Sequence, residues 1–136
     1  MCFFKKLIML NVIIILAINA AFSASVNDGF SGEWCWDKNG EESSFSIKIN
    51  KVSDLYLGAY DSVAFGGNII DDNEHAFSFK ETTDNFIKTK IKAGITGNVG
   101  IISLEILNNK KIKWLLLRKP QGDFYAPKEA ILHKCS

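Results

Sequence analysis

The alternation of apolar and polar residues predicts strands along most of the chain. In residues 44–51, Phe45, Ile47 and Ile49 alternate with serine, lysine and asparagine, a period of two that is typical of a strand with one buried face. Residues 86–93 repeat this period, with isoleucine and threonine alternating with lysine. Both stretches predict strands that have one face on a core and the other in solvent.

Turn-forming residues divide the remaining sequence into segments of strand length. Asparagine and glycine accept positive φ, so Asn39-Gly40 and Asn108-Asn109 favour tight hairpin turns. An acidic segment, residues 71–75, is predicted to be a loop. The predicted strands are residues 32–38, 44–51, 55–63, 76–80, 86–93, 99–107 and 110–119, followed by 125–134 as either a final strand or a short helical turn.

Residues 32–37 are predicted to anchor the core. In a strand, successive side chains point to opposite faces, so Trp34 and Trp36 share one face and Cys35 takes the other. Two indole rings bury a large apolar area, about 150–250 Å² each. The side chains expected to be mostly buried are Trp34, Phe45, Ile47, Phe77, Phe79, Ile102, Leu104 and Trp114.

The N-terminal segment has the three parts of a secretory signal peptide. Lys5 and Lys6 precede an apolar run from Leu7 to Ile18, and Ala21-Phe22-Ser23 fits the small-x-small rule for cleavage. The apolar run is shorter than the roughly 20 residues that a membrane-spanning helix needs. We therefore predict an exported protein that meets the membrane only through this segment during export. The predicted parts are a signal peptide, residues 1–23, and one all-β domain, residues 24–136.

Cysteine usage favours one disulfide. Removal of the signal peptide also removes Cys2 and leaves two cysteines, Cys35 and Cys135. An even number of cysteines in an oxidising compartment favours a bridge between them. Two free thiols or a metal pair are the alternatives, although two cysteines without a nearby histidine cluster make a poor metal site.

The strand pattern and the cysteines together predict the architecture. Seven or eight short strands with no convincing helix after the signal peptide are typical of an all-β sandwich or a small barrel. We favour a small antiparallel β-barrel, closed or nearly closed, over a β-sandwich. Closure of a barrel brings the first and last strands together, which is where Cys35 and Cys135 would meet.

Charge is unevenly distributed along the mature chain, although its total is close to zero. Removing Lys5 and Lys6 leaves 14 of the 16 basic residues against all 15 acidic ones, which is not the balance of a nucleic-acid-binding protein. Residues 28–84 carry twelve acidic residues and four lysines, whereas residues 85–119 carry eight basic residues and one glutamate. The two halves of the domain are therefore expected to have opposite charge.

Lysines of the basic half fall on predicted strand faces. Lys88, Lys90 and Lys92 share one face, and Lys111 and Lys113 share another. These lysines are candidates for an electrostatic surface that steers a charged protein partner. The alternative is that they form solvated outer faces with cross-strand pairing, worth only about 0–1 kcal/mol per pair.

The sequence contains no residue combination with the spacing of a catalytic or metal site. His75 lies in the acidic segment, but the spacing there matches no calcium-loop signature and is typical of an exposed polar loop. A dyad of Cys35 and His133 is incompatible with a disulfide at Cys35. We therefore expect no cofactor, no metal and no enzymatic activity, with a hydrolytic enzyme as the remaining alternative.

Two resemblances extend these expectations. Gly32-x-Trp34 followed by Leu57-Gly58-x-Tyr60 resembles the start of lipocalin and avidin barrels, which are antiparallel ligand-binding barrels of secreted proteins. A broader resemblance, to an uncharacterised family of small exported bacterial β proteins, spans most of the mature chain. It is carried by Gly67-Asn68-x-Ile70-Asp71, Trp114 and Pro120-x-Gly122-x-x-Tyr125-x-Pro127-x-x-Ala130-x-Leu132. Neither resemblance assigns a ligand residue or an activity.

We expect a non-enzymatic exported protein, periplasmic or secreted, that binds a protein partner, as an inhibitor or a toxin-immunity protein does. The alternative is a carrier of a small apolar ligand, held at the barrel mouth near Trp34, Trp36 and Tyr60. The two differ in the barrel interior. Large side chains that fill it exclude a ligand pocket, whereas an open cavity lined by aromatic residues supports one.

Cleavage of the predicted signal peptide should give a mature N-terminus between Ser23 and Val26. Edman degradation or the intact mass of protein isolated from its native host measures this position directly. Protein that retains Met1 and stays in the membrane fraction would contradict both cleavage and export.

Overall fold

Eight antiparallel strands make up the described part of the chain. The structure, a computed structural model, describes residues 28–36, 44–108 and 110–136. Its strands are β1 (Gly32–Trp36), β2 (Ser44–Val52), β3 (Leu55–Ala64), β4 (Ile69–Lys80), β5 (Phe86–Lys92), β6 (Val99–Asn108), β7 (Lys111–Arg118) and β8 (Glu129–Lys134). One turn of 3-10 helix, Phe65–Gly67, lies between β3 and β4. The predicted all-β class is confirmed.

Two four-stranded meanders build the sheet, and they join through β1 and β8. The strand order is β4-β3-β2-β1-β8-β7-β6-β5, and each neighbouring pair is antiparallel. At the junction, Trp34 lies opposite Lys134 and Cys35 opposite His133. The two ends of this order, β4 and β5, lie beside each other, so the sheet forms a nearly closed barrel. The predicted barrel, with its first and last strands together, is confirmed.

The acidic segment, residues 71–75, is part of a strand, so the predicted loop is wrong. β4 continues through this segment, and its residues 71–73 pair with β3. Asp71 is completely buried, whereas Asp72 and Glu74 are exposed. The period-two pattern therefore continues through polar residues, and the buried carboxylate is tolerated because it accepts hydrogen bonds inside the barrel.

The end of the chain is a strand that starts later than the predicted segment. Residues 125–128 form a loop, and β8 starts at Glu129. Pro127 lies in this loop, where its missing N–H removes no ladder hydrogen bond. The predicted hairpin turn at Asn39-Gly40 lies outside the described residues, as does Asn109 of the other.

Large apolar side chains from both meanders fill the core. Trp34 is completely buried, and its Nε1 donates a hydrogen bond to the main-chain oxygen of Phe30 at 3.0 Å. The Lys134 ammonium lies 4.5 Å from the centroid of the Trp34 ring, on the neighbouring strand. Of the side chains predicted to be buried, Phe79 is half-buried and packs on the core, and the others are buried.

A close approach between β3 and β4 explains the glycine in β3. The ring of Phe77 packs directly over Gly58, its cross-strand partner, in the space that any larger side chain would occupy. The sequence pattern predicts a bend or a close backbone approach at Gly58, and what approaches the glycine is the ring of Phe77 rather than another main chain. The register of β3 against β4 then shifts between Gly58 and Tyr60, as it does at a β-bulge.

A disulfide joins Cys35 of β1 to Cys135, just after β8, with 5.2 Å between their Cα atoms. The main-chain N–H of Cys135 also donates to the oxygen of Glu33 at 3.0 Å. The bridge closes a loop of 100 residues, which in the chain-entropy model is worth about 4–5 kcal/mol of stability. Among the described residues, no helix has the length and apolar character needed to cross a membrane.

Replacing Trp34 with alanine should lower the free energy of unfolding by about 3–5 kcal/mol, because the indole is fully buried and its removal leaves a cavity. Urea denaturation followed by circular dichroism measures this loss. Trp36→Ala is the matched control and should cost less, since Trp36 is half-buried. A loss below about 1 kcal/mol for Trp34→Ala would contradict its place in the core.

Candidate partner-binding surface

The three lysines of β5 form an exposed row on the outer surface of the barrel. Ile87 and Ile91 of this strand are buried, so Lys88, Lys90 and Lys92 point to the opposite side and are exposed. None of the three lies within 4.0 Å of an acidic side chain among the described residues. Their charges are therefore available to a partner.

The other two candidate lysines lie apart from this row. Lys111 and Lys113 are on β7, separated from β5 by β6. Lys111 is exposed, whereas Lys113 is half-buried and forms an ion pair with Glu129 at 3.6 Å. Glu105 of β6 is the cross-strand partner of Lys113. The structure does not bring the five lysines into one cluster, and the row on β5 has the least compensated charge.

β5 is also one edge of the sheet, and side chains rather than a ladder join it to β4. Thr89 Oγ1 donates to the main-chain oxygen of Ser78 at 2.8 Å, and Asn73 Nδ2 donates to the main-chain oxygen of Lys92 at 3.0 Å. No β4–β5 ladder occurs in the described ranges. We call the gap between these facing edges the seam. Because each such hydrogen bond contributes a net of about 0.5–1.5 kcal/mol, closure along the seam is weaker than closure by a full ladder.

A bulge in β4 widens the seam between these two hydrogen bonds. β4 advances five residues from Asn73 to Ser78, whereas β5 advances only three from Thr89 to Lys92. The register of β4 against β3 shifts at the same level. Bulged residues bend a strand and interrupt its pairing, so the extra residues of β4 leave an opening beside the middle of β5.

A groove of about 670 Å³, the seam groove, lies over this opening on the outside of the barrel. Ala76, Phe77 and Ile91 line it and are buried, so they provide an apolar floor. Lys88 and Lys90 line it and are exposed, so they provide a cationic rim. An apolar floor with charges at its rim suits part of a polypeptide better than a fully apolar ligand.

Exposed acidic side chains are concentrated on the meander formed by β1 to β4. Asp61 of β3 lies opposite Asp72 of β4, and both are exposed. Glu33 of β1 forms an exposed ion pair with Lys48 of β2 at 3.7 Å. All four line a second outer depression, of about 360 Å³, beside the disulfide. The two meanders therefore present opposite charge on different sides of the barrel.

The acidic segment does not gather around His75. The imidazole lines the seam groove, whereas Asp71 points into the barrel. In the described part of the chain, no group of three or more histidine, cysteine, aspartate or glutamate side chains could hold a metal ion.

A buried carboxylate joins distant parts of the chain near one end of the seam. The Tyr60 hydroxyl donates to Asp71 Oδ1 at 2.7 Å, and the main-chain N–H of Tyr125 donates to Asp71 Oδ2 at 2.8 Å. The Tyr60 oxygen accepts the N–H of Gly94 at 2.9 Å. We call these four residues the Asp71 centre. It connects β3, β4, the loop before β8 and the turn that follows β5.

Gly94 in this centre lies against the main chain of β4. Its α-carbon is so close to the main-chain oxygen of Asp72 that an added Cβ would overlap it. A residue other than glycine would therefore push the β5–β6 turn away from β4. The Asp71 centre and this approach together hold one end of the seam closed.

Burial raises the pKa of Tyr60 above its ordinary value of 10.0, and the hydrogen bond to Asp71 raises the pKa further. The Gly94 N–H acts in the opposite direction, because it would stabilise a phenolate. Ionisation would remove the proton that Tyr60 shares with Asp71 and place two negative charges together. Tyr60 is therefore a neutral donor near pH 7.

Sequence reasoning missed the Asp71 centre because its members are far apart in the chain. Asp71 and Tyr125 belong to two of the stretches quoted for the broader resemblance, and 54 positions separate them. Trp114, from the same set, donates its Nε1 to the main-chain oxygen of Pro127 at 2.8 Å. The available signal was the alternation of Ile69, Asp71 and Asn73, which continues β4 through polar residues.

The aromatic residues proposed for a small ligand lie inside the barrel wall. Trp34 and Tyr60 are buried, with 0% and 2% of their surface exposed, and Trp36 is half-buried against the core. Both buried side chains already have hydrogen-bond partners, Phe30 and the Asp71 centre. A ligand could reach them only if the barrel opened.

Comparison with known proteins gives no match: no family model, no curated protein and no solved structure matches this chain. The function is therefore argued from the surface of the barrel alone.

Replacing Tyr60 with phenylalanine should destabilise the protein by about 1–3 kcal/mol near pH 7, because a buried oxygen of Asp71 loses its donor. The folded-state pKa of Tyr60 is above its unfolded value, so its contribution is constant below about pH 10 and falls as the pH rises further. The free energy of unfolding should therefore fall less steeply with pH in Y60F than in the unmodified protein. The two slopes can differ by at most the titration of one proton, which is about 1.4 kcal/mol per pH unit.

Urea denaturation between pH 8 and pH 11 measures both effects. Tyr125→Phe is the matched control, because Tyr125 contacts Asp71 through its main chain and keeps that contact. Equal alkaline slopes for Y60F and the unmodified protein would contradict the role of the Tyr60 hydroxyl.

Proposed function

We propose that this protein is a non-enzymatic, exported binding protein whose partner is another protein, as for an inhibitor or a toxin-immunity protein. The observation that carries the proposal is the row of exposed lysines on β5 beside the seam groove, which form no ion pair with any described acidic residue. A charged row beside an apolar groove provides both long-range attraction and a place to bury surface on contact.

The dimensions of the row favour a macromolecular partner. Lys88 and Lys92 are four residues apart on one strand, which corresponds to about 13 Å. The groove beside them is open, with buried apolar residues at its base and the exposed side chains of Leu57 and Val99 also in its lining. A partner with a complementary acidic surface would engage the whole row, whereas a small ligand would engage one part of it.

The covalent structure supports export. Cys35 and Cys135 form a disulfide, and structural disulfides persist in the periplasm and outside the cell but are rare in the cytosol. The signal peptide at residues 1–23 remains a prediction from the sequence and lies outside the described residues. Together they favour a partner that is itself secreted, periplasmic or imported.

Reversing the charge of the row tests the proposed surface. Proteins retained by the immobilised mature domain from the host's periplasmic fraction would be purified and titrated individually by biolayer interferometry. The variant K88E/K90E/K92E should bind the true partner at least about tenfold more weakly, chiefly through slower association, and the difference should shrink at high salt.

The matched control carries the same charge change elsewhere. Lys110, Lys119 and Lys128 are exposed and lie outside β5, so K110E/K119E/K128E should change the affinity by much less. An equal loss of affinity in the two triple variants would mean that net charge, and not the position of the lysines, determines binding. No loss in K88E/K90E/K92E would show that the row is not the binding surface.

A further inference from the structure

The main-chain groups of the lysine row face the seam. In an antiparallel ladder, the N–H and C=O groups of alternate residues point to the same neighbour. Ala93 N–H donates to Asn98 on the β6 side, whereas the oxygen of Lys92 accepts from Asn73 on the β4 side. The N–H and C=O groups of Lys90 and Lys88 therefore also point toward the seam.

On β4, at the other edge of the seam, the main-chain groups of alternate residues also point toward the seam. The oxygen of Ser78 faces the seam, where it accepts the Thr89 hydroxyl, and the N–H of Glu81 faces away from it, toward Asp54. Between the two hydrogen bonds that span the seam, the bulge of β4 separates the strands. Lys90 lies in this interval, whereas Lys88 lies beyond Thr89, and neither has a ladder partner on β4 within the described residues.

We infer that the seam takes up an extended acidic segment of the partner, which adds to β5 as a strand. This inference rests on the proposed function and names the part of the partner that the site would recognise. An exposed strand edge is a template for pairing, and strand addition is a common way for a sheet to bind a peptide.

The spacing of the lysines determines which segment fits. Side chains on one face of a strand repeat every second residue, about 6.6 Å apart. Lys88, Lys90 and Lys92 have this repeat, so a segment with glutamate or aspartate at every second position would place one carboxylate beside each lysine. The intervening residues would face Phe77 and Ile91, which are buried, and should therefore be apolar.

Strand addition requires the seam to open, and the structure shows what opposes it. Within the described residues, two neutral side-chain hydrogen bonds span the seam, from Thr89 and Asn73, and the Asp71 centre with Gly94 holds the end beyond Lys92 closed. A bound strand would replace the two side-chain hydrogen bonds with a ladder to β5. The disulfide lies at the β1–β8 junction, in the middle of the strand order, and would stay intact while β4 and β5, at the two ends of that order, move apart.

The probe for this inference is an eight-residue, end-blocked peptide of alternating valine and glutamate. We expect the mature domain to bind it with an affinity at least tenfold higher than that for the valine–lysine peptide of the same length. A valine–glutamate peptide with an N-methyl group on every main-chain nitrogen keeps the charges but has no N–H group to donate to a ladder, and it should bind at least tenfold more weakly than the unmodified peptide.

Hydrogen exchange measured by NMR supplies a residue-specific readout. The amide protons of Lys88 and Lys90 should exchange readily in the free protein and become protected at least tenfold when the valine–glutamate peptide is bound. The variant T89V removes one seam hydrogen bond without changing charge, so it should bind the peptide more tightly. Thr83→Val, at an exposed position in the β4–β5 connection, is its control and should leave the affinity unchanged.

The outcomes separate this inference from the proposed function. Binding of the peptide without protection of Lys88 and Lys90, or equal affinity for the N-methylated peptide, would overturn strand addition, as would no binding of the unmodified peptide. In those cases the lysine row could still be the partner surface, provided that K88E/K90E/K92E weakens binding of the whole partner. If that variant binds the partner normally, the proposed function itself fails.

Discussion

The pairing of β1 with β8 determines where the barrel is open. Because these two strands meet inside the sheet, its edges fall to β4 and β5, which only residues 81–85 separate in sequence. A connection of this length suits a hairpin, but the extra residues of the bulge in β4 prevent a continuous register between β4 and β5. A disulfide and a ladder join β1 to β8, whereas side-chain hydrogen bonds join β4 to β5.

The Asp71 centre limits how far β4 and β5 can move apart. Burying a carboxylate is costly unless both of its oxygens are hydrogen-bonded, and here one donor is a phenol and the other a main-chain N–H. The centre fixes the start of β4 and, through Gly94, the end of β5. Buried polar groups of this kind contribute more to a unique arrangement than to net stability. The seam is consequently anchored at one end and less constrained along the bulge.

Period-two alternation was sufficient to predict most strands and much of the core. Phe45 and Ile47 lie inward because every second residue of β2 is apolar, and Trp34 follows the same rule in β1. The pattern failed where polar residues occupy inward positions, at Asp71 and Asn73, because their partners are supplied by segments far away in the sequence. Tertiary hydrogen bonds of this kind leave no local signal.

The candidate surface was predictable only in part. The alternation in β5 placed Lys88, Lys90 and Lys92 on one exposed face, but it could not show that β5 would be a sheet edge. That property follows from the β1–β8 pairing and from the extra residues in β4. Sequence spacing also suggested a common role for Lys111 and Lys113, which β6 separates from the row. Lys113 has acidic neighbours on both adjoining strands, Glu105 and Glu129.

The division into two meanders has a consequence for folding. Residues 28–84 contain β1 to β4 and have a net charge of −8, whereas residues 85–119 contain β5 to β7 and have a net charge of +7. Each meander consists of consecutive hairpins with local contacts, but their junction brings together cysteines 100 positions apart, which is the slow kind of step in folding. Attraction between the two halves extends over about 8 Å at physiological ionic strength. The charge layout therefore favours the approach of the two meanders as the chain folds and makes the rate of that step sensitive to salt.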